Sequence, residues 1–402
     1  MPVGTAFHER SFPLAESLQF RDWAGYYAAA SYEPYPEHEY AAIRNTAAVI
    51  DVSPLFKYSV RGPDAVTLIQ RTVTRDVSRL AVGQMLYCCW CDDEGKILDD
   101  GTVARLDETR YRWTAAEPNL RWFRMNAAGL RVEIEDVSES LAALALQGPL
   151  AARILAALVG EEILQLRYYR IRPARIAGAD VEISRTGYTG DLGYELWIPR
   201  QHALAVWDAL MDAGRPFGLR PAGLLALDVA RIEAGLLLNG VEYVSSRRAL
   251  NEDQRYSPLE LGLDRLVQLE KDFFVGRSAL LEERRRGGPR RRLVGLEVDG
   301  AALERIHLAA DLPPQVPPTA SRVSVPVYRG RRQVGRATSS TWSPLLKKFI
   351  ALASLQTELA QPGQLLEFEF TLEGVHHRLP ARVVPLPFFN PARKTATPPP
   401  DR

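Results

Sequence analysis

A glycine-interrupted hairpin near the middle of the chain constrains the fold more than any other stretch. Residues Ile183–Ile198 read ISRTGYTGDLGYELWI, with alternating side chains before and after three glycines. Alternation with a period of two is typical of strands that have one buried face. The stretch therefore predicts two strands joined by a glycine-rich turn. On the second strand the even-numbered residues are apolar and share one face, while Glu195 and Trp197 share the other.

The carboxylate of Glu195 is the chemically informative group of this hairpin. A part-buried carboxylate without a partner costs free energy, so we expect Glu195 to face a hydrogen-bond donor. The glycine spacing differs from that of a dinucleotide-binding loop, and no helix follows the glycines. The residues alone are consistent with a carboxylate that faces a donor. The alternative is an ordinary hairpin with an exposed Glu.

Length and composition are those of an ordinary soluble protein. The 402 residues are 46% hydrophobic and 25% charged, with a formal net charge of +1. This length predicts about two to four domains. The low net charge gives no global attraction to nucleic acid. The sequence has no apolar leader and no run of about 18 apolar residues, so we expect a cytoplasmic protein without a membrane partner.

Two clusters of special composition predict no further function. Cys88, Cys89 and Cys91 are too close for a disulfide framework and lack the second pair of a zinc site, so we expect free thiols and no metal site. The basic run Arg284–Arg292 contains glycine and proline but no aromatic residue. It predicts a solvated inter-domain loop rather than a nucleic-acid interface.

A second pair of carboxylates lies on another predicted strand. Asp99 and Asp100 follow the turn Asp92–Gly95, inside an apolar-rich run that begins at Ile97. Adjacent residues of a strand point to opposite faces. Only one of the two carboxylates can therefore enter a given site.

These features resemble the tetrahydrofolate-dependent aminomethyltransferases, which are the T-protein of the glycine cleavage system and its relatives. The hairpin carries the closest match, and the resemblance extends with gaps from about residue 45 to residue 389. Further matching segments are Asp51-Val52-Ser53, the GKILDD run that ends at Asp100, Leu146-Gln147-Gly148-Pro149, the helix that follows Arg220-Pro221, and Ser257–Leu263.

The resemblance implies a site that binds tetrahydrofolate. Glu195 would hold the pterin ring, whose N3–H and 2-amino group form a fork that one carboxylate can accept in a bidentate pair. Asp100 would be the catalytic carboxylate, which stabilises developing positive charge and relays a proton. The other implied cofactor-binding residues are Tyr188, Thr114, Arg231 and Trp197. For Arg231 an internal ion pair is the alternative.

Three departures from the family pattern affect the one-carbon donor. Thr114 replaces an Asn, Leu227 replaces an Arg near the family's active site, and the segment before Asp51 matches poorly. Either Arg231 compensates for Leu227, or the donor no longer needs that charge. The resemblance implies aminomethyl transfer from a lipoyl carrier protein. The alternatives are a demethylase that acts on a methylated small molecule and a non-enzymatic folate-binding protein.

The implied fold is α+β, with three domains in a ring around a central folate cavity. Short strand candidates at regular spacing from Leu293 onward predict an all-β C-terminal domain. We expect a disordered tail after Asn390. The predicted domains are residues 1–55 with 139–270, the insertion 56–138 that carries Asp100, a barrel-like domain at 285–390, and the tail at 391–402.

Overall fold

The computed structural model describes residues 1–398. Its contacts separate two compact units. One contains Met1–Cys88, Asp100–Ala230 and the C-terminal residues from Asn390; the other contains Cys89–Asp99 and Arg231–Phe389. No helix within residues 1–398 combines the length and apolarity needed to span a membrane.

Strands and helices follow one another along the whole described chain. The strands are β1 (Val3–Gly4), β2 (Gln19–Trp23), β3 (Tyr26–Ser31), β4 (Ala47–Asp51), β5 (Phe56–Arg61), β6 (Gln84–Cys91), β7 (Ile97–Arg105), β8 (Arg110–Ala115), β9 (Glu133–Asp136), β10 (Leu141–Gln147), β11 (Ile171–Ile176), β12 (Ala179–Ser184), β13 (Gly193–Pro199), β14 (Leu219–Pro221), β15 (Arg291–Val298), β16 (Val325–Arg329), β17 (Arg332–Ser343), β18 (Lys348–Gln356), β19 (Leu365–Leu372) and β20 (Val375–Val384). The helices are α1 (His8–Ser11), α2 (Glu37–Asn45), α3 (Ala65–Thr72), α4 (Leu120–Asn126), α5 (Ala151–Val159), α6 (Ala203–Gly214), α7 (Leu224–Glu233), α8 (Arg277–Arg285) and α9 (Gly300–Ala309).

The predicted hairpin lies in a six-stranded sheet with the order β11-β12-β13-β10-β4-β14. One face of this sheet packs on α5 and α6, because the alternate apolar residues of β12 and β13 point there. Tyr194, Leu196 and Ile198 all belong to that core. The hairpin and its apolar face are therefore confirmed, and Glu195 and Trp197 point to the opposite face.

A five-stranded sheet carries the second carboxylate pair, with the order β6-β7-β8-β5-β9. In the antiparallel pair of β7 and β8, Ala104 lies opposite Arg112. Directly opposed residues share a face, so Arg112 and Thr114 of β8 lie on the same side as Asp100 and Thr102 of β7. The small three-stranded sheet β1-β3-β2 completes the strands near the N-terminus.

The C-terminal strands form a closed barrel with the order β15-β18-β17-β16-β19-β20. All of its strand pairs are antiparallel. Alternate apolar side chains fill its interior, and Val327, Leu355 and Val383 are among them. An α+β fold with an all-β C-terminal domain is therefore confirmed.

The basic run that we predicted to be a solvated loop is a loop at residues 286–290, and its two ends belong to regular elements. Its first arginines belong to the last turn of α8, and β15 begins at Arg291. The guanidinium of Arg291 donates to Glu260 and stacks 3.5 Å from the ring centre of Tyr256. The loop prediction therefore holds for residues 286–290, whereas composition could not reveal the acidic and aromatic partners of Arg291.

The predicted disorder of the tail also differs from the structure up to Pro398. Ala392–Lys394 forms a short 3-10 helix. Arg393 donates to both oxygens of Asp191, with Nε–Oδ1 2.6 Å and Nη2–Oδ2 2.8 Å. A bidentate pair to a buried carboxylate orders a segment that its composition leaves unstructured. Residues 399–402 lie outside the described residues.

Candidate functional site

The glycine-rich turn between β12 and β13 is held by the side chain of Gln147. Its amide Nε2 donates to the carbonyl oxygens of Thr186 and Tyr194, both at 3.3 Å, and Thr189 Oγ1 donates to its Oε1 at 2.9 Å. A Cβ at Gly193 would lie 2.3 Å from the same Oε1. Glycine is therefore required where the turn closes around this buried amide.

Glu195 lies at the end of this turn, on the face of the sheet opposite to α5 and α6. Its neighbours across the strands are Ala145 on β10 and Ser184 on β12. Among the described residues, the sole side-chain hydrogen bond to its carboxylate is from Ser184 Oγ, at 3.5 Å. Burial raises the pKa of Glu195 to about 7, opposed by the positive charge of Arg112. Most of the acceptor capacity of the carboxylate is therefore not used by the described residues.

Arg112 is a candidate site residue that the sequence analysis did not identify. It reaches from β8 to the six-stranded sheet, where it pairs with Glu182 and lies 4.1 Å above the ring of Trp197. Trp197 is 2% exposed and donates from Nε1 to Ser184 Oγ at 3.0 Å. The sequence did contain a pattern that could have identified Arg112. Arg112 alternates with Tyr111 and Trp113, which puts a cation on one face of an apolar strand.

Asp100 lies on the same face of the five-stranded sheet as Arg112. Tyr87 Oη donates to Asp100 Oδ2 at 2.7 Å. Two residues further along β7, the hydroxyl of Thr102 is 2.7 Å from that of Thr114. Asp100, Thr102, Thr114 and Arg112 thus form one continuous series, which we call the polar row. The row ends at Arg112, whose charge acts on Glu195.

Asp99 has a separate environment, as strand alternation predicts. It is fully buried, and Asn239 Nδ2 donates to its Oδ1 at 3.0 Å. Asp100 is only partly buried. The two carboxylates therefore occupy opposite faces of β7.

The structure places Tyr188 and Arg231, the two remaining predicted site residues, in surroundings that favour ligand binding less than those of Glu195. Tyr188 is part-buried in the glycine-rich turn. Arg231 is buried and pairs with the buried Glu242 at 2.8 Å, an arrangement that favours the internal ion pair. Glu242 also accepts from Thr338 and Ser339. Binding of tetrahydrofolate by Tyr188 and Arg231 stays a prediction.

Leu227 is 8% exposed on α7 and carries no charge into its surroundings. The next residue, Asp228, is buried, and its carboxylate lies 3.4 Å from Arg21 Nη1.

The three cysteines are buried free thiols. Within residues 1–398, no group of three or more His, Cys, Asp or Glu side chains is arranged to hold a metal ion.

Comparison with known proteins finds similarity over nearly the whole chain. A family model described as the GCVT N-terminal domain matches residues 14–271, and one described as the glycine cleavage T-protein C-terminal barrel domain matches residues 304–390. The crystal structure of glycine cleavage system aminomethyltransferase T from Bartonella henselae superposes with a TM-score of 0.81 and 25% identity, covering 97% of this chain and 99% of that one.

Curated relatives are similar over most of the chain. An aminomethyltransferase of Caldanaerobacter subterraneus subsp. tengcongensis is 36% identical over 352 residues, which are 86% of each protein. A second, from Bacillus pumilus, is 34% identical over 96% of this chain and 98% of its own length. A trimethylamine-oxide aldolase of Ruegeria pomeroyi is 36% identical over 98% of this chain and 48% of its own length. On the matches of both domain models and of these relatives, the chain belongs to the glycine cleavage T-protein family.

Proposed function

We propose that this protein is a transferase that moves an aminomethyl group to tetrahydrofolate. The observation that carries the proposal is the carboxylate of Glu195, which lies at the end of the family's glycine-rich turn with most of its acceptor capacity unused. Relatives named aminomethyltransferase, similar over most of both chains, support the reaction type.

The residues around Glu195 fit a reduced folate. The pterin ring offers two adjacent N–H groups, and a carboxylate accepts both in a bidentate pair. Ala143 and Ala145 are the residues opposite Trp197 and Glu195 on β10, so the side chains beside the carboxylate on that strand are short. Thr114 and Tyr188 are further proposed contacts.

Asp100 is the proposed catalytic carboxylate. Tetrahydrofolate, when bound, supplies the nucleophilic nitrogen that accepts the one-carbon group. Tyr87 donates to Asp100 Oδ2 and orients the carboxylate, which would hold or move a proton. An oriented carboxylate also stabilises positive charge that develops on a nearby nitrogen.

The donor and the setting are part of the proposal. We take a lipoyl carrier protein as the source of the aminomethyl group and the cytoplasm as the compartment. Residues 1–55 with 139–270, 56–138 and 285–390 stay the proposed domains.

A demethylase that uses a methylated small molecule is the second candidate. One observation favours it: the relative named trimethylamine-oxide aldolase is as similar to this chain as an aminomethyltransferase is, at 36% identity. Leu227, in place of a cation, agrees with a donor that has no anionic group.

Product analysis distinguishes these functions. The protein is incubated with tetrahydrofolate and either an aminomethyl-lipoyl carrier or a panel of methylated amines, ethers and thioethers, and the folate product is identified by mass. We expect methylenetetrahydrofolate and ammonia with the carrier. Methyltetrahydrofolate as the sole product establishes the demethylase. Binding of tetrahydrofolate without any product, while Asp100→Asn leaves affinity unchanged, establishes the non-enzymatic folate-binding protein.

A further inference from the structure

Arg112 has an N–H donor that no residue in the described part of the chain accepts. Its side chain is 4% exposed, and Nη1 pairs with Glu182. Nη2 is buried and has no hydrogen-bond partner among residues 1–398. A buried N–H that lacks an acceptor costs free energy, so such groups are rare and call for an explanation.

The surroundings of Arg112 fix the direction of this donor. The guanidinium lies 4.1 Å above the ring of Trp197, and Trp197 is itself held by its hydrogen bond to Ser184. The stacking on Trp197 and the ion pair with Glu182 together fix the plane of the Arg112 guanidinium and its orientation within that plane. Nη2 therefore cannot turn toward another acceptor without breaking one of these contacts.

Glu195 lies close enough for its charge to act on Arg112. Glu195 and Trp197 share one face of β13, and the same Ser184 hydroxyl contacts both side chains. The Glu195 carboxylate and the guanidinium with the unused N–H are thus linked through Ser184 and Trp197. They offer acceptors beside a donor, which complements a ligand edge that has two N–H groups beside an oxygen.

We infer that Arg112 donates from Nη2 to the 4-oxo oxygen of the pterin ring while Glu195 accepts from its N3–H and 2-amino group. The inference rests on the proposed function and adds a specificity-determining residue to it. A 2-amino-4-oxo ring carries its amino group, N3–H and oxygen in sequence along one edge, and Glu195 and Arg112 match them in that order. A ring with a 4-amino group presents no acceptor to Arg112.

Calorimetry with a matched pair of ligands tests this assignment. The full-length protein is titrated with tetrahydropterin and with its 2,4-diamino counterpart. Wild type should bind the 4-oxo ring more tightly, by roughly ten- to hundredfold, the range for a hydrogen bond to a charged donor. Arg112→Met should lose this preference and weaken 4-oxo binding by about the same factor, with less than about a threefold change for the diamino ring.

Arg110→Met is the control, because Arg110 is on the same strand and is part-exposed beside Asp107. It should leave both affinities unchanged. If the Met variant does not fold, Arg112→Lys is used in its place. This variant keeps a cation facing Glu182 but lacks the second guanidinium N–H group, so it should also lose most of the preference for the 4-oxo ring.

The outcomes separate this inference from the proposed function. A folded Arg112 variant that keeps the full preference for the 4-oxo ring overturns the inference and leaves the proposed function intact. Equal losses for both rings overturn it too, because they indicate a purely structural role. Wild-type protein that binds neither ring overturns the proposed function together with the inference.

Discussion

At the scale of single residues, the protonation of Glu195 should control ligand binding. Burial raises the pKa of its carboxyl from 4.5 to about 7, so the ligand-free site holds a proton below that pH. Only the ionised form accepts two N–H groups. We therefore expect the affinity for tetrahydrofolate to fall as pH decreases below 7, approaching about tenfold per pH unit. Above pH 7 the affinity should become nearly constant.

Titration calorimetry between pH 5.5 and pH 8.5 checks this expectation. Glu195→Gln removes the titrating group and should bind weakly with a flat profile. A wild-type affinity that does not change across this range contradicts the assignment of Glu195 as the pterin-binding carboxylate.

Asp100 and Asp99 provide a matched pair on one strand. Asp100→Asn should reduce turnover by about 10²-fold or more, because the amide cannot accept a proton, with little change in folate affinity. Asp99→Asn alters a buried residue bonded to Asn239, so its effect should be on stability and smaller on turnover. Steady-state kinetics and thermal unfolding of both variants separate these effects. An equal or larger loss of turnover at Asp99 would place the reacting face on the other side of β7.

At the scale of elements, the glycine-rich turn depends on space for Gln147. Gly193→Ala would displace the Gln147 amide from hydrogen bonds with Thr186, Tyr194 and Thr189. We expect a loss of about 1–3 kcal/mol in the free energy of unfolding, the cost of leaving buried polar groups unpaired. Denaturant titration measures it.

A double-mutant comparison supplies the control for Gly193. In a Gln147→Ala background the same substitution should cost less than about 1 kcal/mol, since the displaced amide is absent. Gly300→Ala, at a position with nothing within 4 Å of a built Cβ, should be tolerated. A cost at Gly193 that is independent of Gln147 would show that another contact closes the turn.

The hairpin shows what the sequence could predict about elements and what it could not. Alternation along β13 identified the buried face and left Glu195 on the other, because that pattern is local. Contacts between distant segments leave no such pattern. The Asp191–Arg393 pair joins residues 202 positions apart, and the Arg112–Glu182 pair joins two different sheets. For this reason the ordered segment before residue 399 and the role of Arg112 became visible only in three dimensions.

At the scale of the whole molecule, overall similarity does not identify the one-carbon donor. The chain is 36% identical both to an aminomethyltransferase and to a trimethylamine-oxide aldolase. The fold follows from either relative. The donor must therefore be decided by individual departures, of which Leu227 has the clearest physical consequence.

The structure weakens one of the two explanations for Leu227. Arg231, one helical turn later, cannot readily replace the missing cation, because it is buried in a pair with Glu242. Leu227 is itself 8% exposed. We expect Leu227→Arg to bury a cation without a dedicated partner, to lower the free energy of unfolding by several kcal/mol and to abolish turnover.

Leu227→Met provides the volume-conserving control and should cost less than about 1.5 kcal/mol while retaining activity. Thermal unfolding and product formation are measured for both variants with the lipoyl carrier and with the methyl-donor panel. If Leu227→Arg folds normally and transfers the aminomethyl group faster than wild type, the pocket accepts a cation at this position and our expectation is wrong. Leu227→Arg could instead fold normally and lose turnover only with an uncharged methyl donor. The pocket would then be fitted to that donor, because the new cation replaces the apolar contact of Leu227 with the methyl group while the fold is unchanged. That result would favour the demethylase over the aminomethyltransferase.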